Sequence, residues 1–434
     1  MNDERPVTND ERPMSNVHPS SSVLRPPSSV VFVEQESQLG GVEMSTLVVA
    51  QGLDRSRYTP IVIAPQTGPL TTRCADADIP VYLSPRPHFR SASWRWRGHT
   101  FADPLALAVN PLRLWRASLP LAQRLADCAA DLVVTKGLLA HFYGGWAARR
   151  LGLPCIWHVQ DEVPERRAAG LYLRALRWAA QRLAAAVIGD AATIARQFSG
   201  HPNVYVVYNG IDTEEFSPQT RPGSLRADLG IPADALLVGN LARLTDWKGQ
   251  HLLIEAAHRL AADEPRLHLV LIGSPLFDDD GYEKRMRRLA ADGSAAARIH
   301  FAGYRTDAAA CLAALNIYVH PSLRKDTAPL ALLSALATGL PVVISAVPGM
   351  LEVVQPDCAL IFPPGDSQGL TGHLRDLLRQ PTLRGQLSVC ARALAERRFS
   401  VPAHVEAMTR VFDQVRNGTC EYEPQSHEDT KEEG

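Results

Sequence analysis

The segment Gly239-Asn240-Leu241-Ala242-Arg243-Leu244-Thr245-Asp246-Trp247-Lys248-Gly249 divides two patterns. Before it, Leu236-Leu237-Val238 is a short apolar run of the kind a buried strand uses. After it, Leu252, Leu253, Ala256, Ala257 and Leu260 recur at helical spacing. A loop that leaves a strand and enters a helix opens at the carboxyl edge of a parallel sheet, where α/β proteins bind ligands. Arg243 and Lys248 stand five positions apart in this loop and together suit an anion. The Arg offers a planar fork for two phosphate oxygens and the Lys a mobile point charge. Taken alone, two such cations describe any solvated surface.

Outward from that loop the alternation continues in both directions. Apolar runs at 29–33, 58–64, 131–134, 155–159, 184–189 and 204–207 read as strands separated by helical segments. The pattern repeats at 236–239, 267–273, 299–303, 317–319 and 342–345, with a linker near 209–223. Alternating strands and helices imply parallel sheets with crossover helices, so the fold class is α/β with two doubly wound sheets. A chain of 434 residues suits two domains of this size.

Hydrophobic content of 46% and charged content of 21% are those of a globular protein. No apolar run approaches the roughly 20 residues that span a bilayer, so neither a transmembrane helix nor a secretory signal is expected. The seven cysteines are scattered and never form a C-x-x-C pair, which argues for reduced thiols in a cytosol and against a zinc site. Between Arg86 and Arg182 fifteen Lys/Arg face six Asp/Glu, whereas residues 421–434 carry six acids and one Lys. That asymmetry favours an anionic partner for the basic part. No nucleic-acid-binding motif accompanies it, so nucleic acid is not the expected partner. Residues 1–28, with Asn-Asp-Glu-Arg-Pro written twice and then a Pro/Ser stretch, cannot bury enough apolar surface to order, and 417–434 are a polar acidic tail.

Five segments fall in a fixed order: Leu39-Gly40-Gly41-Val42-Glu43, Val206-Val207-Tyr208-Asn209-Gly210-Ile211-Asp212, the Arg243/Lys248 loop, the stretch from His320 to Val343, and Pro348 to Glu352. In that order they resemble the retaining glycosyltransferases of family 4, of GT-B architecture, over roughly residues 29–416. The resemblance implies two Rossmann-like domains facing across a cleft. Residues 29–208 would form the acceptor-side domain and 209–400 the sugar-nucleotide-binding domain. A final helix, 401–416, would cross back to the first. It further implies a sugar nucleotide as donor and a glycan or lipid-linked acceptor, in cell-surface polysaccharide or glycolipid synthesis. Attack would occur on the same face as departure, the leaving phosphate taking the acceptor's proton. No metal and no cofactor are expected, because cations and helix ends neutralise the diphosphate.

Residue by residue, Gly40 and Gly41 are the expected diphosphate loop, where glycine permits close approach at a helix N-terminus. Arg243 and Lys248 are the expected phosphate cations. Aligned on Pro321-Ser322 and on Gly339 to Val343, the family's first Glu falls on Asp326 and the second on Ser334. Asp326 is therefore expected to hold the transferred sugar. Ser334 would meet the ribose without a bidentate acceptor, a loss of about 1–3 kcal/mol. Pro329 replaces a residue whose amide faces the phosphates, which leaves the amides of Leu330 and Ala331. On the strand 155–159, His158 is the expected second catalytic residue, with Gln160 or Asp161 as substitutes.

Basic and aromatic residues intermingle at Arg86, His88, Arg90 and Trp94-Arg95-Trp96-Arg97, at Leu112 to Arg116, and along Arg166 to Arg182, including Arg167, Arg174 and Arg177. This suits peripheral contact with an anionic membrane, at the inner face for a cytoplasmic protein; a solvated charged face is the plainer reading. Two other function classes stay open. One is another GT-B enzyme, such as an epimerase or a phosphorylase. The other is a nucleotide-sugar-binding protein without turnover, which Ser334 and Gln160 favour.

Overall fold

A computed structural model describes residues 27–86, 93–96, 99–102, 104–163, 170–275, 280–324 and 326–418. The expectations for residues 1–26 and 419–434, and for His88, Arg90, Arg97, Arg166 and Arg167, lie outside them. The first half of the chain supplies β1 (Ser28–Glu34), β2 (Tyr58–Ala64), β3 (Val81–Leu83), β4 (Ser93–Trp96), β5 (His99–Ala102), β6 (Leu132–Lys136), β7 (Cys155–Val159), β8 (Ala186–Gly189) and β9 (Val204–Val206). All but β4 and β5, which form an antiparallel pair of their own, make a seven-stranded parallel sheet in the order β3-β2-β1-β6-β7-β8-β9. The second half supplies β10 (Leu236–Leu241), β11 (Leu267–Ile272), β12 (Ile299–Gly303), β13 (Ile317–His320), β14 (Val342–Ser345) and β15 (Ala359–Phe362). These form a six-stranded parallel sheet in the order β12-β11-β10-β13-β14-β15.

Every residue of β6, β7 and β11 is buried. Parallel sheets require this, because their crossover helices cover both faces, and it is why these strands read as unbroken apolar runs. In each sheet the order reverses once beside the first strand, between β1 and β6 and between β10 and β13. Loops leaving the two strands at such a reversal turn to opposite faces and open a crevice at the carboxyl edge. The architecture is GT-B: two such sheets, each with its own crevice.

Two chain crossings run side by side between the units. Ile211 N donates to Phe399 O at 2.7 Å, and Val401 N donates to Ile211 O at 3.1 Å. Beyond this point the helix Val401–Asn417 packs on the unit built around the first sheet. Its Met408, Val411, Phe412 and Val415 are buried with Val30, Phe32 and Tyr58. Phe412 meets the Phe32 and Tyr58 rings edge-on at centroid distances of 6.4 and 6.0 Å, and Asp413 accepts from Arg57 at 2.8 Å.

One sequence expectation is corrected here. The scattered cysteines argue for reduced thiols throughout, yet Cys358 and Cys390 are joined, with Cα atoms 5.0 Å apart. The helix Pro381–Arg398 lays Cys390 against the turn before β15, a meeting that spacing along the chain does not announce. Cys74, Cys128, Cys155 and Cys311 are free and buried. Among the described residues, no helix is long and apolar enough to cross a membrane.

Candidate active site

The two crevices face one another across a cleft of about 490 Å³. Val42, Gly137 and Leu138, just beyond β1 and β6, line it from one side; Arg243, Trp247, Asp326 and Thr327, beyond β10 and β13, line it from the other. Both sets come from the loops at the strand-order reversals. The tips of the units also meet: a Cβ placed on Gly41 would lie 3.5 Å from Leu330 Cδ1. Gly41 begins the helix Gly41–Gly52 and Leu330 the helix Leu330–Ala337, so two helix N-termini converge there. Positive ends of two helix dipoles in one cleft favour an anion between them.

Asp326 is the most heavily held side chain in the cleft. Its Oδ2 accepts from Lys248 Nζ at 2.6 Å, from Ser322 Oγ at 2.6 Å and from His320 Nε2 at 2.7 Å. Tyr318 Oη lies 2.9 Å from His320 Nδ1. With His320 neutral, the assignment that satisfies both contacts has the Tyr318 hydroxyl donating to Nδ1 and Nε2–H donating to Asp326. Burial alone would raise the Asp326 pKa; His320 and Lys248 outweigh it and hold the carboxyl well below its usual range. The carboxylate is therefore ionised and fixed through one oxygen. Oδ1 has no protein hydrogen bond among the described residues and is left for a ligand.

Lys248 has a partner that the sequence does not announce. The short turn Asp246–Lys248 ends at Gly249, whose φ of +70° is left-handed. There a Cβ would fall 2.1 Å from the carbonyl oxygen of Pro321. Glycine alone permits this approach. It brings Lys248 inward, 9% exposed, against Asp326. Lys248 is thus a clamp on the carboxylate before it is a phosphate ligand. Arg243 keeps the expected position: it is exposed, lines the cleft and has no side-chain partner among the described residues.

Gly40 N donates to Glu43 Oε2 at 3.0 Å, which closes the start of the glycine-loop helix. Pro329 is the N-cap of the other helix; its carbonyl accepts from Leu332 and Leu333. The amides of Leu330 and Ala331 stay unpaired among the described residues. Ser334 is buried a turn further in and does not line the cleft. His158 is also misplaced by the sequence reading. It is 0% exposed, in register between Lys136 and Ile188, and its two ring nitrogens meet no partner among the described residues. The strand ends at Val159, so the two-residue periodicity no longer carries to Gln160, which lines the cleft instead. Gln160 Nε2 donates to Asn209 Oδ1 at 3.2 Å, and Asn209 Nδ2 donates to Asp190 Oδ2 at 3.1 Å.

Two features escaped sequence reasoning. His141, on the helix Leu138–Arg150, lines the cleft, although among apolar neighbours it has the signature of a core histidine. Glu352 reaches from the second unit to the first, its carboxylate accepting from Thr193 N at 2.8 Å and from Ala192 N.

The loop bearing Asp326 is braced by Gly349, where a Cβ would meet the Asp326 carbonyl oxygen at 2.4 Å and Thr327 Cα at 2.9 Å. Both obstacles are backbone, so neither yields cheaply. Gly349→Ala is expected to displace Asp326 and lower turnover about a hundredfold, the usual effect of a misplacement near 1 Å. Nucleotide release by a variant that still melts cooperatively checks this; unchanged turnover would mean the brace is dispensable.

Comparison with known proteins bears on the family and the fold. The family described as Glycosyltransferase Family 4 matches residues 39–215, and the one described as Glycosyl transferases group 1 matches residues 223–393. A GDP-mannose-dependent monoacylated alpha-(1-6)-phosphatidylinositol monomannoside mannosyltransferase of Corynebacterium glutamicum is 29% identical over 226 residues, 50% of this chain and 57% of that protein. The alignment thus spans little more than half of that relative. A GDP-mannose-dependent alpha-mannosyltransferase of Mycobacterium tuberculosis is 28% identical over 345 residues, 76% of this chain and 82% of that protein. The crystal structure of Anabaena Alr3699/HepE in complex with UDP superposes with a TM-score of 0.74 at 24% identity, covering 89% of this chain and 100% of that one. On matched segments and shared architecture together, the chain belongs to the group 1 glycosyltransferases of family 4.

Proposed function

We propose that the protein transfers a sugar, with retention of configuration, from a nucleoside-diphosphate donor to a glycan or lipid-linked acceptor. The observation that carries this is Asp326: an ionised carboxylate pinned through one oxygen, beside Arg243, which is unpaired among the described residues, where two helix N-termini meet. Asp326 Oδ1 accepts from hydroxyls of the transferred sugar. Arg243 and the Leu330 and Ala331 amides, with Gly40 and Gly41 opposite, stabilise the charge that develops on the leaving diphosphate. This arrangement requires neither a metal nor a cofactor. Residues 29–208 serve as the acceptor side and 209–400 as the donor side, and helix 401–416 ties them.

The same reading assigns the protein to cell-surface polysaccharide or glycolipid synthesis at the inner face of the cell membrane. Exposed Leu112 and Trp115 beside Arg113 and Arg116, and exposed Leu171 and Trp178 near Arg174 and Arg182, support peripheral contact with anionic lipid. Buried Ser334, in place of the second acid, favours one alternative: a nucleotide-sugar binder without turnover.

A thermal-shift screen against UDP, GDP, ADP and their sugar conjugates tests the donor site. A ligand at about 100 times its dissociation constant stabilises the fold by roughly 2.7 kcal/mol. One nucleotide class is expected to raise the midpoint, and Arg243→Ala to remove most of that shift. A shift without nucleotide release would move the binder reading ahead; no shift with any nucleotide would overturn both readings.

A further inference from the structure

On the wall formed by the first unit, His141 is held in a way that leaves one nitrogen available. Its ring stacks on Trp157, with centroids 4.9 Å apart and planes 12° from parallel. Nδ1 lies 2.8 Å from Thr135 Oγ1, and that hydroxyl lies 3.3 Å from the Ile156 carbonyl oxygen. The hydroxyl has one proton and two neighbours. Both bonds form only if it donates to Ile156 O and accepts from Nδ1–H. Nε2 then carries a lone pair and has no protein partner among the described residues. Burial pushes the imidazole pKa down to about 3, so the ring is neutral at any working pH.

Beside it, Gln160, Asp161, Glu162 and Tyr172 line the same wall. Asp161 and Glu162 form no ion pair among the described residues. The described residues of this wall include no Lys or Arg, in contrast to the opposite wall with its Arg243. Among the described residues the cleft therefore has its cation on one side, and the facing side offers lone pairs and negative charge. Hydroxyl groups suit such a surface; a phosphate would meet two like charges, a cost that discriminates strongly between ligands.

We propose that His141, Asp161 and Glu162 form the acceptor subsite and that it takes an uncharged, hydroxyl-bearing sugar, one hydroxyl donating to His141 Nε2. The reacting end of the acceptor is then a neutral sugar unit and not a sugar phosphate, whatever lipid or glycan lies behind it. This rests on the donor-site reading above, and the two fail separately.

The test measures binding of small sugars to protein saturated with the nucleoside diphosphate that raises its melting midpoint. The probes are methyl glycosides of glucose, galactose, mannose and N-acetylglucosamine, with glucose 6-phosphate and mannose 6-phosphate. At least one neutral glycoside is expected to bind saturably, and the sugar phosphates at least tenfold more weakly. His141→Phe keeps a flat ring for Trp157 but offers no acceptor; it is expected to weaken glycoside binding tenfold or more while leaving the nucleotide shift intact. The combined Asp161→Asn and Glu162→Gln variant, altered where side chains reach solvent, is expected to narrow the gap between neutral and phosphorylated sugars. Equal binding of the phosphates by the unaltered protein overturns the inference. So does unchanged glycoside binding in His141→Phe, or no binding by any neutral glycoside despite a nucleotide shift. Absence of the nucleotide shift itself overturns the donor-site reading and this inference with it.

Discussion

Asp326→Ala is expected to cut turnover severely and to destabilise the protein at once. Lys248 and His320, 9% and 1% exposed, both direct their polar atoms to one oxygen of this carboxylate. Removing it leaves a buried ammonium beside an imidazole, and breaking one side of a buried pair costs about 3–5 kcal/mol. Burial and the Arg243 charge already lower the Lys248 pKa against the pull of Asp326. Without the carboxylate the amine would shed its proton more readily, which limits the loss. Turnover should fall by about two to three orders of magnitude, the scale of losing one preorganised polar contact in a transition state. The double variant Asp326→Ala with Lys248→Met separates the two effects. It should recover most of the stability, because both halves of the pair are gone, and none of the activity. Urea midpoints and nucleotide-release rates on the three proteins check this; an Asp326→Ala enzyme within a few-fold of the unaltered rate would remove Asp326 from the chemistry.

The second large effect is acid lability. His141, His158, His320 and His404 are all buried, and burial lowers the pKa of each, to about 3 for His141 and about 4 for His404. In the unfolded chain each regains a pKa near 6.5. Below that pH the unfolded state binds protons that the folded state refuses, so stability is full above about 6.5 and is lost as pH falls toward the folded values. Two buried acids work the other way. Burial raises Glu34 to about 7 and Asp190 well above its usual range, so the folded state holds their protons where the unfolded chain has released them. The lowered histidines outnumber the raised acids, so stability is expected to fall on balance as pH drops from about 6.5 to 5. A domain stable by about 5–15 kcal/mol tolerates little of that. The urea midpoint should therefore drop steeply from pH 7 to pH 5, and His404→Leu should flatten the slope. A midpoint that holds or rises over this range would show that the histidines take protons without unfolding the chain.

The parts of the fold that sequence discloses are those set by local pattern. Unbroken apolar runs mark strands buried on both faces, and Leu252 to Leu260 lie in a helix where their spacing places one. Arg243 is legible from the strand it follows, at the edge where ligands bind, whereas Asp326 is given only by the resemblance. What escaped depends on partners far along the chain. Lys248 is drawn to a carboxylate 78 residues away, through a glycine that accepts a left-handed turn against Pro321. His158 obeys the strand's alternation, but Gln160 lies past its end, where alternation stops. Cys358 finds Cys390 only once a helix has packed. His141 could not be told from a core histidine until the cleft beside it existed.

The most direct measurement is a crystal structure of the protein soaked with the nucleoside diphosphate that raises its melting midpoint. The diphosphate is predicted to lie in the cleft within hydrogen-bond reach of Arg243 and the Leu330 and Ala331 amides, with Asp326 Oδ1 facing the vacant sugar position. A nucleotide bound elsewhere, or a cleft that stays empty at saturating ligand, would contradict the account.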